Sequence, residues 1–271
     1  MEAKTRFAFG RNWANYLKGL SPDRIRAAED SLKTMLGLAS LNGLSFLDVG
    51  CGSGLFSLVA RRLGAKVTSF DVDAQSVACC ASLRQRFFPD DDLWVITRGS
   101  ILDGQFTEGL GTFDLVNCWG VLHHTGAMWQ AMERVDRLVS VGGTLYVSIY
   151  NDQGRASRWW SSVKHTYNRI PRPLRWVIVV PSFLRLWGPA LIRDSVRGRP
   201  LATWRRSTRG MSAWHDCLDW VGGFPFEVAK PDQVLDFFRC RWYTLERLHT
   251  CGGGRGCNEF VFAKAGSAHP A

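Results

Sequence analysis

Phe46-Leu47-Asp48-Val49-Gly50-Cys51-Gly52-Ser53-Gly54 is the stretch whose residue types come nearest to dictating a chemistry. A short apolar run feeds an acid, and three glycines follow at alternate positions. Without side chains there, the backbone can lie against a ligand and take the positive φ values that a tight turn demands. Helical spacing resumes at residues 55–63. The first amides of such a helix offer unpaired N–H groups and a positive dipole end to a polar ligand. Asp71 ends the next apolar run, roughly 20 residues beyond the glycines, where a strand-end carboxylate can accept both hydroxyls of a ribose. Its other open role is to cap the helix that follows, although Asp73 is better spaced for that task.

Two further clusters could move protons. Asn117-Cys118-Trp119 is followed by Gly120-Val121-Leu122-His123-His124. Either histidine can take a proton from a hydroxyl near neutral pH, and the other is then left to cap or pack the helix expected at Met128. Between Trp214 and Trp220 lie His215, Asp216 and Asp219. These could line an acceptor pocket, orient a base, hold a divalent cation or form a solvated helix face, since their spacing is diagnostic of none.

The elements that must position these residues follow from the period of the apolar pattern. Strands are expected over 45–49, 66–70, 93–97, 113–118 and 144–150, with helices over 55–63, 74–87 and 128–139 between them. Such alternation builds an α/β fold with a doubly wound parallel sheet and right-handed crossovers, whose ligands sit beyond the carboxyl ends of the strands. Residues 1–44 read as an N-terminal helical cap over the sheet edge or the cleft, with Ser21-Pro22 starting a helix. Residues 45–150 form the α/β core, 151–224 an insertion, and 225–271 a last helix and two strands around Cys251-Gly252-Gly253-Gly254-Arg255-Gly256-Cys257.

The spacing Gly-x-Gly-x-Gly differs from the Gly-x-Gly-x-x-Gly of nicotinamide enzymes. Leu47 to Gly54, with Asp71 downstream, resembles motif I and the acidic loop of class I S-adenosylmethionine (SAM) dependent methyltransferases. The end of strand four, with Phe113-Asp114-Leu115-Val116 leading in and histidines following, is similar to the ubiquinone-biosynthesis O-methyltransferases and their bacterial relatives. The resemblance implies a Rossmann-like seven-stranded sheet of order 3-2-1-4-5-7-6 with its last strand antiparallel. It implies SAM as cofactor, released as S-adenosylhomocysteine. Asp48, Gly50, Cys51, Gly52 and Gly54 would surround its methionine and ribose, and Asp71 would hold the ribose. Ser100 and Ile101 would hold the adenine, with Ser100 standing where many relatives carry Asp. Asn117, Cys118 and Trp119 would face the transferable methyl. His123, His124 and His215 are the candidate bases, and no metal is expected. The implied reaction is methyl transfer to a small-molecule or lipid-linked acceptor, most simply at a hydroxyl.

Charge and composition bear on the acceptor. Hydrophobic residues make up 46% and charged ones 21%, as in a globular chain with a packed core. The net charge of +10 is confined to one region. Residues 151–210 hold thirteen Arg and Lys against Asp152 and Asp194, a net +11, so the rest of the chain is near neutral. The same insertion holds Trp159, Trp160, Trp176, Trp187, Trp204, Trp214 and Trp220. Its most apolar part, 176–192, contains Arg185, Pro181 and Pro189 and falls short of the ~20 mostly apolar residues of a spanning helix. It reads instead as an amphipathic lid for an anionic or lipid-linked acceptor, with peripheral membrane contact as one use. RNA binding through the same bases and aromatics is the competing use. No RNA-binding module is recognisable, and the Asn/Asp-Pro-Pro-Tyr/Phe signature is missing after strand four. A SAM-binding protein without catalysis is the third alternative. Met1 to Arg6 is not followed by a signal-like apolar run, and the eight cysteines read as reduced thiols of a cytoplasmic protein.

Overall fold

The computed structural model describes residues 9–199 and 213–266, less the side chains of Arg11, Ala213, His215, Asp216 and Asp219. Two helices lead in, α1 (Phe9–Lys18) and α2 (Pro22–Leu36). The start of α2 is set by Ser21, whose side chain accepts from Arg24 N–H, and by Pro22 in its first turn. It stops at Gly37, which takes the left-handed conformation (φ 68°). The core then alternates β1 (Ser45–Val49), α3 (Leu55–Arg62), β2 (Lys66–Asp71), α4 (Ala74–Phe87), β3 (Trp94–Arg98), α5 (Gly104–Glu108), β4 (Phe113–Trp119), α6 (Met128–Leu138) and β5 (Val139–Tyr150). The insertion supplies α7 (Arg155–Arg169), α8 (Trp176–Val196) and α9 (Ala213–Gly222). The chain returns through α10 (Pro231–Arg239), β6 (Tyr243–His249) and β7 (Cys257–Lys264).

The seven strands run β3-β2-β1-β4-β5-β7-β6. Strands β1 to β5 pair in parallel, and β7 pairs antiparallel with both β5 and β6. Helices cover both faces, so β1 reads as an unbroken apolar run interrupted only by Asp48. Phe46, Leu58, Trp94 and Tyr146 fill one face beneath α2, α3 and α4, while Leu47, Val116, Met132 and Phe238 fill the other beneath α6 and α10. Strand β5 begins earlier than the apolar pattern predicts. Val141-Gly142-Gly143 is carried into the strand, with Gly142 at φ 77° and a register shift opposite Phe113 and Leu115. Gly143 has no room for a Cβ, which would meet the carbonyls of Ser140, Asp114 and Phe113 at 2.9–3.1 Å.

The insertion packs its own small core from Trp160, Tyr167, Val179, Cys217 and Val221. Helix α8 continues through Pro181 and Pro189, whose lost hydrogen bonds would have gone to the exposed residues Val177 and Arg185. It is longer than the sequence pattern suggested. With its leading turn, Arg172–Val196 is long and apolar enough to cross a membrane by length and composition, at mean hydropathy 1.2, and 11% of that window is buried. All eight cysteines are free thiols.

Candidate active site

The carboxyl ends of β1, β2 and β4 meet at the glycine loop, which a hydrogen-bond network locks in place. Cys51 N–H donates to the Phe70 carbonyl (3.0 Å), and Gly54 N–H donates to the Cys51 carbonyl (2.8 Å). The Asp71 carboxylate accepts from Gly52 N–H (3.0 Å) and Asp73 N–H (2.8 Å). A carboxylate offers about four acceptor positions, so capacity remains for a ligand. Asp73 is the helix cap, as its spacing suggests: its side chain accepts from Gln75 N–H (2.9 Å). It also accepts from Gly10 N–H (2.9 Å), which ties α1 to the start of α4. That tether brings Trp13 of α1 over the loop.

Gly50, Gly52 and Gly54 all have positive φ (66°, 53° and 81°). Gly50 and Gly52 show what the missing Cβ atoms make room for. At Gly50 a Cβ would lie 2.5 Å from Val121 of the β4 loop, and at Gly52 it would lie 3.0 Å from the Trp13 indole nitrogen. Loop one is therefore in contact with both the strand-four loop and the N-terminal helix.

Asp48 departs from its expected place. It is 3% exposed, and its carboxylate accepts from the Ser57 hydroxyl and from Asn117 Nδ2 (2.8 Å). It ties β1, α3 and β4 together from beneath the loop instead of lining open surface. Burial pushes its carboxyl up to about 6, against the hydrogen bonds from Ser57 and Asn117, and the nearby Asp71 charge adds to the rise. Burial also raises Asp71, here opposed by its backbone hydrogen bonds. Asn117 is 1% exposed, and its Oδ1 is a buried acceptor without a partner among the described residues. Cys118 is corrected as well. Strand alternation turns its side chain to the opposite face of the sheet, fully buried in the cluster with Val135, Leu138 and Leu145. Only its backbone reaches the strand end. Trp119 packs 6.0 Å from Phe56, on the α3 side.

Cys51 is buried beside Cys80, whose hydrogen bond and burial both raise its thiol, making it a packing residue in the loop. Ile101 is 5% exposed, and the Ser100 hydroxyl accepts from Leu102 N–H (3.2 Å). Gly99 N–H donates to the Asp71 carbonyl (3.1 Å), so the β3 loop sits against the β2 end.

The two histidines after β4 are sharply different. His123 is 1% exposed, its ring centroid lies 3.9 Å from that of Tyr150, and its Nδ1 has no partner among the described residues. Burial holds it well below the usual histidine range. His124 and Lys164 act the same way, against a hydrogen bond with the Ser148 backbone. It is a neutral part of the wall and could meet an acceptor only by displacing Tyr150. His124 is half-buried, and its Nδ1 lies 2.7 Å from the Pro225 carbonyl. A carbonyl can only accept, so Nδ1 carries the proton and Nε2 is the basic nitrogen of this ring. Its neighbours are Phe9 (5.0 Å) and Tyr150 (5.4 Å). His215, Asp216 and Asp219 fall in α9, and their side chains lie outside the described residues.

Several residues of this region escape the sequence pattern. Tyr150 ends β5 and touches both histidines, Trp220 (5.4 Å) and Phe226 (5.3 Å). The signal for it was the sheet order, which sets the end of β5 beside the end of β4. Lys164 is fully buried, donates to the Trp220 carbonyl and has its ammonium 4.3 Å from the Trp220 ring and 4.6 Å from Phe226. Glu227 accepts from Gly126 N–H (2.8 Å) and Met128 N–H (3.1 Å), capping α6, while its own N–H donates to the His123 carbonyl (2.9 Å). The segment from Pro225 to Glu227 is thus the strap that holds both histidines.

Comparison with known proteins agrees with this geometry. The family described as "Methyltransferase domain" matches residues 47–147. The chain is 28% identical over 194 residues to a ubiquinone biosynthesis O-methyltransferase of Xanthomonas oryzae pv. oryzae, covering 70% of each protein. Among solved structures it resembles the magnesium protoporphyrin IX methyltransferase of Synechocystis PCC 6803 with bound SAH, at 14% identity, TM-score 0.56 and 94% coverage of both chains. It also resembles the 1,6-didemethyltoxoflavin-N1-methyltransferase of Burkholderia thailandensis, at 14% identity and TM-score 0.50, covering 90% of this chain and 79% of that one. These two likenesses concern the fold. The domain match assigns residues 47–147 to a methyltransferase domain, and with the glycine loop, the acid at the end of β2 and the 3-2-1-4-5-7-6 sheet it supports an enzyme whose cofactor is S-adenosylmethionine.

Proposed function

We propose that this enzyme methylates a hydroxyl of a small-molecule acceptor, with His124 as general base. The observation that carries the proposal is the 2.7 Å contact from His124 Nδ1 to the Pro225 carbonyl, which fixes the tautomer with Nε2 as the proton acceptor. The similarity to a ubiquinone biosynthesis O-methyltransferase supports oxygen as the target atom.

The bound donor supplies a methyl already activated on a sulfonium. The chain must align it, exclude water and, for a weakly acidic hydroxyl, remove a proton. The residues present fit such a donor. Gly50, Gly52 and Gly54 let the loop turn tightly against Val121, Trp13 and Cys80 at the strand ends, and Asp71 keeps acceptor capacity for the ribose hydroxyls. Ser100 and Ile101 would border the adenine. The unpartnered Asn117 Oδ1 and the backbone from Asn117 to Trp119 would face the methionine end. Burial raises the proton affinity of Asp48 and Asp71, and the positive charge of a bound donor would favour their ionised forms. His124 would then take the acceptor's proton, with Phe9 and Tyr150 flanking it as an apolar, water-excluding wall. The resemblance to an N1-methyltransferase shows that the fold alone does not set the acceptor atom, so the test is on the product. Supplied with methyl-labelled SAM and a panel of phenols, sugars and amines, the protein is expected to yield a methyl ether. Label transferred only to nitrogen would contradict the proposal.

A peripheral contact with the cytoplasmic face of a membrane belongs to the same reading. Trp176, Val177, Val180, Leu184, Ile192 and Val196 of α8 are 41–82% exposed, with Arg172, Arg175, Arg193 and Arg197 near its two ends. Such a face suits the boundary between headgroups and acyl chains. The expected result is co-sedimentation with vesicles of phosphatidylglycerol and phosphatidylcholine at low salt, weakened as salt rises. Protein left wholly in the supernatant at low salt would sink the membrane contact.

A further inference from the structure

A second site lies away from the glycine loop. Helices α7 and α8 and the turn between β6 and β7 enclose a cavity of about 520 Å³, lined by Gln153, Ala156, Trp160, Arg185, Pro189 and Arg255. Two of the lining residues are arginines, and none is acidic. Asp152, in the adjoining turn, is engaged by Gly154 N–H (2.8 Å) and does not line the cavity.

The turn that carries Arg255 and the side chain of Arg185 are both held in place. The glycine turn carrying Arg255 is tied to the end of β5. Asn151 Nδ2 donates to the Gly254 carbonyl (3.2 Å), Gln153 Nε2 to the Gly253 carbonyl (3.3 Å), and Asn151 N–H to the Gly256 carbonyl (3.0 Å). Arg185 lies over the Trp159 ring, 5.2 Å from its centroid, and that contact orients the guanidinium plane. Helix α7 begins beside the cavity at Gly154, with no side chain capping its first amides and no acid in its first turn. A positive helix end and two forked donors converge on one space with a buried Trp160 as its floor.

A packed row of rings runs from the cavity floor to the methyl-transfer site. Trp160 touches Trp220 (5.6 Å), Trp220 touches Tyr150 (5.4 Å), and Tyr150 touches His124 (5.4 Å). An acceptor reaching both the base and the arginines would have to span this row of rings.

We propose that this cavity is an oxyanion subsite that binds a carboxylate or phosphate group of the acceptor through Arg185 and Arg255. The inference deepens the hydroxyl-methyltransferase reading and rests on it for the identity of the ligand as acceptor, but not for the existence of the site. Guanidinium groups pair bidentately with either oxyanion, and the ring floor favours one attached to a planar or apolar body.

The test is calorimetric titration of the full chain, saturated with S-adenosylhomocysteine, using sodium phosphate, pyrophosphate and benzoate as probes at constant ionic strength. At least one probe should bind at one per chain, and whichever binds tightest tells a phosphate subsite from a carboxylate one. Its affinity should fall at least tenfold in Arg185→Gln and in Arg255→Gln. Arg185→Lys, which keeps the charge without the fork, should fall between wild type and Arg185→Gln. Affinity for S-adenosylhomocysteine and the melting temperature should stay unchanged in all three, reporting an intact fold. Absence of saturable binding by every probe at low salt, or binding that survives both glutamine variants, would overturn the site. Anion binding as described, in a protein that methylates no hydroxyl, would leave the oxyanion site standing and remove the reading of its ligand as a hydroxyl acceptor. Hydroxyl methylation without anion binding would remove only the subsite.

Discussion

Arginine at position 52 abolishes cofactor binding on this account, and alanine at position 71 comes close to doing so. Gly52 sits at φ 53°, a conformation that strains any L side chain, and its Cβ would lie 3.0 Å from the Trp13 indole nitrogen. An arginine there must displace Trp13 and the α1 helix or fill the space above the loop. Affinity for S-adenosylhomocysteine should fall by more than about 100-fold, since the cradle itself is occupied. Asp71→Ala removes the acceptor of Gly52 N–H and the carboxylate assigned to the ribose hydroxyls. Hydrogen bonds to a charged group are worth about 1.5–3 kcal/mol each, so losing two corresponds to roughly 10²–10⁴ in affinity. Asp71→Asn, which retains one carbonyl oxygen, should lose less. Calorimetry with S-adenosylhomocysteine reads all three, and circular dichroism melting separates a lost contact from a lost fold. Affinity within threefold of wild type in both Gly52→Arg and Asp71→Ala would remove the donor from this loop.

How far the sequence reaches is uneven, for physical reasons. The central strands are legible because both faces are covered, which makes them short apolar runs, and the helix starts are marked by residues such as Ser21, Asp73 and Asp103. Motif spacing locates the glycine loop and Asp71, since those positions depend on local backbone geometry. Side-chain direction is less legible. Asp48 and Cys118 belong to the right strands, yet Asp48 turns into a buried network and Cys118 into the opposite face. The roles of the two histidines depend on contacts from residues 27 and 101 positions away, Tyr150 and Pro225, which no local pattern encodes. Helix α1 falls inside the stretch read as an N-terminal helical cap, but its position is set by docking on α4 and by the Gly10–Asp73 hydrogen bond, which no local pattern encodes. Helix α8 was underestimated because proline counts against a helix interior, whereas the residues that lose a partner here are exposed.

The second large effect concerns the base. His124 is the histidine with a fixed tautomer and partial access, whereas His123 is sealed beneath Tyr150. A positioned general base contributes about 10²–10⁴ to a proton-transfer-linked step. His124→Gln should therefore lower kcat by at least about 100-fold while leaving affinity for S-adenosylhomocysteine within twofold. Acceptors that arrive already ionised, such as strongly acidic phenols, should recover most of the rate. His123→Gln should act through packing: it exchanges a ring packed against Tyr150 for a flexible amide, lowering the melting temperature and touching kcat only through misplacement of His124.

Because methyl transfer to a hydroxyl beside His124 is the centre of the account, the most direct measurement pairs two numbers on one variant. These are kcat with a phenolic acceptor and the dissociation constant of S-adenosylhomocysteine, for His124→Gln against wild type. The account predicts a kcat at least about 100-fold lower with an unchanged dissociation constant. A kcat within threefold of wild type, at the same cofactor affinity, would contradict it.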